Sequence, residues 1–228
     1  MAAIFVTGTD TGVGKTLVSK ILIEHFVSSG LRVAAMKPVA SGAIKTPDGL
    51  RNDDAETLLR ATNTTFDYSQ INPYVFEPAI APHIAASQSN SLIDVNKLDE
   101  AFSVLSAGSD KVIIEGAGGW QVPLNHSLSF ADWVSAKQWP LVLVVGIRLG
   151  CINHAQLTCL DILQKKNPLL GWVANIIDPG AACQDEIIHY LEESIDAPLL
   201  GKIPFSTQAE RQNMSRYLVL DRLLGNEN

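Results

Sequence analysis

The chain has 228 residues, 46% of them hydrophobic, which is enough for a sizeable core and fits a single α/β domain spanning residues 1–228. Its formal net charge of −7 argues against a general nucleic-acid-binding protein, which would need a basic face for phosphates. The N-terminus lacks a secretory leader, the three cysteines form no CxxC pair, and no apolar run approaches the ~20 residues of a membrane span, so we expect a cytoplasmic protein.

Short, continuously apolar runs alternate with helix-like segments along the chain. The first strand candidate, Ala3–Thr7, precedes apolar residues at helical spacing over Lys15–Ser29, and Gly30 ends that helix. Further strand candidates are Arg32–Met36, Lys111–Ile114, Pro140–Val145, Trp172–Ile176 and Leu199–Ile203. Continuous apolar runs indicate strands buried on both faces, and intervening helices indicate parallel βαβ units. We therefore predict an α/β fold with a mostly parallel central sheet and helices on both faces.

The segment from Ala40 to Asp110 is the least regular part of the sequence. It contains four prolines, at positions 47, 73, 78 and 82, and a polar run at 87–91. We expect two or three helices and long surface loops here, inserted between two strands. Such loops commonly carry binding residues.

The sequence GTDTGVGKT, residues 8–16, is the strongest functional signal, because it follows a predicted strand and opens a predicted helix. Glycines let the backbone wrap phosphate oxygens, and the free N–H groups at the helix start point at the anion. Lys15 adds a positive charge for the β- and γ-phosphates, and the Thr16 hydroxyl is a magnesium ligand. The motif predicts a P-loop NTPase-like protein.

The loop departs from the usual G-x4-G-K-[ST] pattern. The position five before Gly14 is Thr9, and the nearest glycine, Gly8, lies one residue further back. The motif is therefore a longer variant of the P-loop. The alternative interpretation is a glycine-rich strand-to-helix turn with an exposed lysine.

A magnesium-binding P-loop needs a carboxylate, usually at the end of a neighbouring parallel strand. Glu115 ends the apolar run of VIIEGAGGW, and the glycines after it allow close approach of a ligand. The alternative is a solvated glutamate beside a flexible turn. Asp53 and Asp54 stand at a predicted helix start, where the residues alone favour helix caps.

Two other positions follow predicted strands at the same sheet edge. Lys37, in MKPVASG, is placed to reach a transferring phosphoryl group or an anionic substrate, or to lie in solvent. Gly150–Asn153 open a helix whose N–H groups suit a carboxylate, although the residues alone favour an ordinary capped helix.

Several motifs together resemble the bacterial type of the dethiobiotin synthetase family. GTDTGVGKT, KPVASG, RNDDA, PHIAA, EGAGGW, FADWV, GCINHA and GWVAN occur in the family's order, from residue 6 to about 206. The stretch after about Gln208 matches nothing that we can use.

The resemblance implies ATP- and Mg²⁺-dependent conversion of 7,8-diaminononanoate and CO₂ to a cyclic urea in biotin biosynthesis. One amine would form a carbamate, whose oxygen would attack the γ-phosphate to give a carbamic-phosphoric anhydride. The second amine would then close the ring and release phosphate. The resemblance also implies a homodimer with the substrate site at the subunit interface, and neither a nucleic-acid nor a membrane partner.

The resemblance assigns a role to each matching position. Lys37, Lys15 and Thr11 would be catalytic, and Thr16, Asp54 and Glu115 would hold Mg²⁺. The nucleotide would contact Gly12, Val13, Gly14, Lys15, Thr16, Asp54, Glu115, Gly116, Ala117, Gly118, Asn175, Pro204, Phe205 and Ser206. The substrate would contact Thr11, Lys37 and Ser41, together with Gly150, Cys151, Ile152 and Asn153 of the other subunit. Asp53 receives no role.

Three other functions compete with this one. A nucleotide-driven partitioning ATPase would need a partner, DNA or membrane contact, and the sequence has neither an amphipathic terminal helix nor a basic patch. A cobyrinate-type amidation enzyme would need a glutamine-hydrolysing domain, for which the chain is too short. A module that merely holds ATP is disfavoured by the intact Lys15, Thr16 and Glu115.

Overall fold

The computed structural model describes residues 3–206 and 214–224. The strands are β1 (Ala3–Gly8), β2 (Val33–Met36), β3 (Val39–Ser41), β4 (Ile44–Thr46), β5 (Gly49–Arg51), β6 (Tyr74–Phe76), β7 (Lys111–Glu115), β8 (Leu141–Ile147), β9 (Leu169–Ile176) and β10 (Leu199–Ile203). The helices are α1 (Lys15–Ser28), α2 (Asp53–Ala61), α3 (Tyr68–Ile71), α4 (Pro82–Gln88), α5 (Val95–Ala107), α6 (Phe130–Ala136), α7 (Cys151–Gln164) and α8 (Gln184–Ser194). Two short 3₁₀ helices, Met214–Tyr217 and Asp221–Leu223, follow.

A six-stranded parallel sheet forms the centre, in the order β10-β9-β8-β1-β7-β2. Alternate residues of β1 point into different layers: Phe5 packs against one cluster, and Ile4 and Val6 pack against another on the opposite face. Helix α1 contributes to the second cluster, whereas α5 and α6 contribute to the first. The predicted parallel α/β fold with two covered faces is therefore confirmed, and each of the six strands lies where an apolar run predicted it.

The segment between β2 and β7 is more ordered than its sequence suggested. It holds four helices, α2 to α5, where we expected two or three, and it adds two small sheets, β3 with β6 and β4 with β5. These strands have only three residues each, too short for an apolar period to reveal them.

The carboxyl edge of the sheet collects the polar residues that the sequence singled out. The P-loop follows β1, Lys37 follows β2, Glu115 ends β7, and Asn175 lies near the end of β9. Ligands bind at this edge in open parallel sheets, so the fold brings residues far apart in sequence to one site. Within residues 3–206 and 214–224, no helix has the length and apolarity needed to cross a membrane.

Candidate active site

The P-loop leads into the start of helix α1. Gly14 is the N-cap residue with φ of 95°, in the left-handed region that favours glycine, and no side chain caps the helix. A Cβ added at Gly14 would lie 2.2 Å from Nδ2 of Asn175. Asn175 in turn donates a hydrogen bond to the Val13 carbonyl at 2.8 Å, so it fixes the loop. The N–H groups at the helix start are therefore available to an anion.

Lys15 is the first residue of α1, and its side chain folds back over the loop. Its Nζ donates to the Asp10 carbonyl at 3.0 Å. Burial, together with the nearby charge of Lys37, lowers the pKa of Lys15 to about 8 despite the neighbouring carboxylates. The loop thus holds an amine of lowered basicity, and a bound phosphate would strongly favour its protonated form.

Lys37 lies at the centre of a buried ion cluster. Its Nζ donates to Oε1 of Glu115 at 2.5 Å, to Oδ2 of Asp54 at 3.0 Å and to the Gly116 carbonyl at 3.3 Å. The Glu115 side chain has no exposed surface and that of Lys37 only 4%. The Thr16 hydroxyl donates to the same Oε1 of Glu115 at 3.0 Å, which joins the cluster to the P-loop.

The charges of this cluster stabilise one another. Burial disfavours the Lys37 ammonium, but the adjacent Glu115 and Asp54 carboxylates outweigh burial and raise the pKa of Lys37. Burial also opposes ionisation of Asp54, yet Lys37 lowers the pKa of that carboxyl below its ordinary value. Lys37 is therefore protonated and Asp54 ionised at neutral pH.

The oxygen donors in the cluster fit a magnesium ion. The second carboxylate oxygen of Glu115, Oε2, is buried and has no hydrogen-bond partner among the described residues. With the Thr16 hydroxyl and the Asp54 carboxylate it forms a set of hard oxygen donors. This set has only two carboxylates. Within residues 3–206 and 214–224, there is no group of three or more His, Cys, Asp or Glu residues that could hold a metal. Mg²⁺ commonly takes one or two carboxylates and completes its shell with phosphate and water.

The start of α2 corrects one sequence interpretation. Asn52 is the N-cap, and its side chain accepts hydrogen bonds from the backbone N–H groups of Asp54 and Ala55. Asp53 and Asp54 are therefore not the caps that the residues alone favoured. Their positions diverge: Asp54 turns towards Lys37 and the cleft, whereas Asp53 is exposed on a separate surface groove.

A cleft of about 820 Å³ opens at this edge of the sheet. Its walls include most of the residues singled out from the sequence: Thr11, Gly12, Gly14, Lys15, Thr16, Lys37, Ser41, Asp54, Glu115, Ala117, Gly118, Asn175, Phe205 and Ser206. Val13 is buried beneath the loop, Gly116 contributes its carbonyl to Lys37, and Pro204 does not line the cleft.

The residues Gly150–Asn153 do not line the cleft. They form the start of α7, where Gly150 is the left-handed N-cap residue with φ of 89°. Gly150 and Asn153 are exposed, and Leu149 beside them has 94% of its surface exposed. This segment is therefore open to an external ligand or to another molecule.

The cleft also has parts that the sequence did not reveal. Ala79–Pro82 and Val122–Pro123 contribute apolar residues to its wall. The Ser41 hydroxyl, by contrast, was singled out from the sequence; it lines the same cleft, is buried and has no hydrogen-bond partner among the described residues. These segments come from the irregular region and the loop after β7, whose paths the sequence pattern does not predict.

An ion pair joins the P-loop to the loop after β8. Arg148 donates through Nη2 to Oδ2 of Asp10 at 2.5 Å, and Oδ1 of Asp10 accepts from the Thr11 N–H at 2.7 Å. Arg148 lies two residues before Gly150, the N-cap of α7, so this ion pair links the P-loop to the Gly150–Asn153 segment. Neither Asp10 nor Arg148 stood out in the sequence.

The parallel sheet and the P-loop define the class of the protein as a P-loop NTPase-type α/β fold. MinD from Aquifex aeolicus aligns with 98% of this chain and 91% of its own, with a TM-score of 0.56 and 15% identity. A ParA family ATPase from Chlorobium tepidum covers 95% of this chain and 88% of its own, with a TM-score of 0.55 and 16% identity. At these identities the likeness concerns the fold alone. A family model described as an AAA domain matches residues 2–213.

Closer relatives identify the family within this class. The ATP-dependent dethiobiotin synthetase BioD of Vibrio vulnificus is 44% identical over 224 residues, which is 98% of this chain and 99% of the relative. BioD of Aliivibrio salmonicida is 43% identical over 97% of this chain and 98% of the relative. BioD 1 of Salmonella typhi is 48% identical over 88% of each. The chain therefore belongs to the dethiobiotin synthetase family.

Proposed function

We propose that the cleft catalyses the ATP-dependent ring closure of 7,8-diaminononanoate with CO₂ to dethiobiotin. One amine adds to CO₂ and loses a proton to give a carbamate. A carbamate oxygen attacks the γ-phosphorus and expels ADP, giving a carbamic-phosphoric anhydride. The second amine attacks the carbonyl carbon, phosphate leaves with the bridging oxygen, and the cyclic urea remains. Phosphate is a much better leaving group than the oxide that the carbamate would otherwise lose.

The two lysines account for the phosphoryl transfer. Lys15 lies against the P-loop, and Lys37 lies beside Glu115 on the neighbouring strand edge. Negative charge on the carbamate and the transferring phosphoryl group is stabilised by the two fixed ammonium groups. Thr11 and Ser41 line the same cleft and provide hydroxyls for the diamine or the carbamate. Positioning and charge stabilisation suffice, without a covalent protein intermediate.

Thr16, Asp54 and Glu115 are the residues that would hold Mg²⁺ directly or through water. The unpaired Oε2 of Glu115 supports this assignment. When bound, the ion neutralises charge on the β- and γ-phosphates. The backbone of Gly12–Thr16 cradles the phosphates, and Glu115–Gly118 border the nucleotide. Asn175 and the segment Pro204–Ser206 provide the adenine contacts.

The diamine's carboxylate requires a second subunit in this proposal. Gly150–Asn153 do not line their own cleft, but they lie at the exposed, positive start of α7. The same helix exposes a stripe of leucines: Leu157 and Leu160 with 59% of their surface exposed, and Leu163 with 68%. Pairing this face with a second copy would bury the stripe and bring each helix start to the other subunit's cleft. Homodimerisation through α7 is therefore part of the proposal.

The three cysteines, Cys151, Cys159 and Cys183, are free thiols. Free thiols suit a reducing compartment, and we place the enzyme in the cytoplasm.

The observation that carries the proposal is the Lys37–Glu115–Asp54 cluster beside the P-loop. The test is phosphate release from ATP in bicarbonate buffer with magnesium, measured with and without 7,8-diaminononanoate, with the product followed by mass spectrometry. We expect phosphate release to depend on the diamine and to match formation of the cyclic urea. ATP hydrolysis that ignores the diamine would refute the proposed function.

The pKa of Lys15 predicts a pH dependence of nucleotide binding. Because the pKa of Lys15 is lowered to about 8, the free enzyme loses this positive charge as the pH rises through 8. Bound phosphates favour the ammonium form and raise its pKa, so binding takes up a proton above that pH. We expect ATP affinity to fall as the pH rises from about 7 to about 9. Calorimetry in two buffers of different ionisation enthalpy measures the proton uptake.

A Lys15→Met variant provides the control for this prediction. It should bind ATP more weakly and should show no proton uptake between the same pH values. Wild-type binding without proton uptake at pH about 8.5 would contradict the lowered pKa of Lys15.

A further inference from the structure

Helix α7 is attached to the glycine-rich loop after β7 through one carboxylate. Oδ2 of Asp161 accepts a hydrogen bond from Nε1 of Trp120 at 2.6 Å and another from Nε2 of Gln121 at 2.6 Å. Trp120 and Gln121 follow directly on the EGAGG segment, residues 115–119. A single side chain of α7 therefore fixes two consecutive side chains at the end of this loop.

The Trp120 side chain transmits this attachment to the ion cluster. Its indole has 3% exposure and packs edge-on against Phe5, with ring centroids 6.4 Å apart at 67°. The Phe5 ring lies directly against Gly116, because a Cβ added there would be 2.9 Å from Phe5 Cζ. The Gly116 carbonyl accepts from Lys37 Nζ at 3.3 Å. Contiguous contacts thus run from Asp161 to Lys37.

The Gln121 side chain provides a second connection. Gln121 lines the cleft, as do Val122 and Pro123 of the apolar wall. Its amide is oriented by Asp161, so the bond fixes where the cleft wall begins. Because Trp120 and Gln121 share this acceptor, we expect its loss to loosen the loop after Glu115 and the start of this wall.

We propose that Asp161 is a positioning residue, which holds the Glu115–Val122 loop in its catalytic geometry from helix α7. It contacts neither substrate nor metal, and it acts through Trp120 and Gln121. The inference rests on the proposed function, because the loop continues from Glu115 at the end of β7 and its Gly116 carbonyl accepts a hydrogen bond from Lys37, and both side chains belong to the proposed phosphoryl-transfer site. Helix α7 also carries the exposed leucine stripe. The hydrogen bonds of Asp161 therefore attach this loop to the helix that we expect to pair with a second subunit.

The test compares Asp161→Leu and Asp161→Asn with a matched control, Asp99→Leu. Asp99 makes the same kind of contacts away from the cleft: Oδ1 accepts from Nε1 of Trp133 at 2.8 Å, and Oδ2 accepts from Lys137 at 2.6 Å. We expect Asp161→Leu to lower kcat by about 10- to 100-fold, as loss of an orienting partner does elsewhere. Asp161→Asn keeps an acceptor oxygen and should recover most of kcat. Asp99→Leu should change kcat by about twofold or less.

Hydrogen exchange of the full-length enzyme tests the same inference without turnover. Asp161→Leu should speed exchange of the backbone amides of residues 116–122, whereas Asp99→Leu should not. Unchanged exchange in this loop, or equal kcat losses for Asp161→Leu and Asp99→Leu, would overturn the positioning role. Wild-type enzyme without diamine-dependent phosphate release would refute the proposed function instead, and the exchange result would still decide the attachment.

Discussion

Replacing Lys37 by glutamine is expected to lower kcat by about 10²- to 10³-fold, with a much smaller change in the KM for ATP. Lys37 is buried, its raised pKa keeps it charged, and it faces the cleft beside the P-loop. Its charge is therefore available to stabilise the phosphoryl group during its transfer, rather than to bind the nucleotide in the ground state. Steady-state kinetics with saturating diamine measure how much of the effect falls on kcat and how much on the KM for ATP.

A second buried lysine provides the control. Lys111 begins β7 at the opposite end from Glu115, is 7% exposed and lies over the Phe26 ring. Lys111→Gln removes a buried ammonium without touching the cleft, and we expect kcat to change by about twofold or less. Thermal unfolding of both variants separates folding losses from catalytic ones. A Lys37→Gln enzyme that keeps normal kcat would remove Lys37 from the mechanism.

Two impaired variants are expected to restore activity when they share a dimer, assayed at a diamine concentration at which each variant alone is nearly inactive. Lys37→Gln removes the lysine of a subunit's own cleft, and Asn153→Trp blocks the helix start that we assign to the partner's cleft. In a mixed dimer, one cleft combines an intact Lys37 with an intact Asn153 from the other subunit. Random mixing gives about half mixed dimers with one working site each, hence about a quarter of wild-type activity.

The Asn153→Trp variant alone should raise the KM for the diamine more than the KM for ATP, because only the diamine carries the carboxylate. Sedimentation should show that wild type and both variants are dimers. Mixed dimers, verified by mass, that remain inactive would contradict the shared site. A stable, fully active monomer would contradict it as well.

The grouping of the P-loop residues with Glu115 was predictable because its signals are local. Gly14, Lys15 and Thr16 are adjacent in sequence, and Glu115 ends a short apolar run that was predicted as a strand and is β7. Parallel strands bring their carboxyl ends to one edge, so these residues meet in the cleft without further information.

Other parts of the site depend on tertiary contacts that no local pattern encodes. Asn52 precedes two aspartates that are equally good caps by composition, and only the path of the chain selects it. In the sequence, Asp161 looks like an ordinary polar residue of an amphipathic helix. Its hydrogen bond to Trp120, 41 positions away, is visible only in the structure. The apolar wall at Ala79–Pro82 follows β6, a strand of three residues that is too short to show an apolar period, and it ends at the first residue of α4.

The fold alone does not separate this enzyme from a ParA family ATPase or from the MinD cell division protein. The MinD and ParA family structures match 95–98% of this chain with TM-scores of 0.55–0.56, at identities of 15–16%. What identifies the family is sequence identity: the chain is 43–48% identical to dethiobiotin synthetases over most of its length. The side chains at the sheet edge, rather than the sheet itself, therefore determine the chemistry.

The central claim is that a carbamate oxygen attacks ATP, and it is tested most directly with ¹⁸O-labelled CO₂. Enzyme, magnesium, ATP and 7,8-diaminononanoate are mixed with freshly dissolved label, and phosphate and product are analysed by mass spectrometry in the first turnovers. The account predicts one labelled oxygen in the released phosphate and one in the urea carbonyl. Unlabelled phosphate accompanying a labelled urea would contradict it, because ATP would then have been hydrolysed by water rather than used to activate the carbamate.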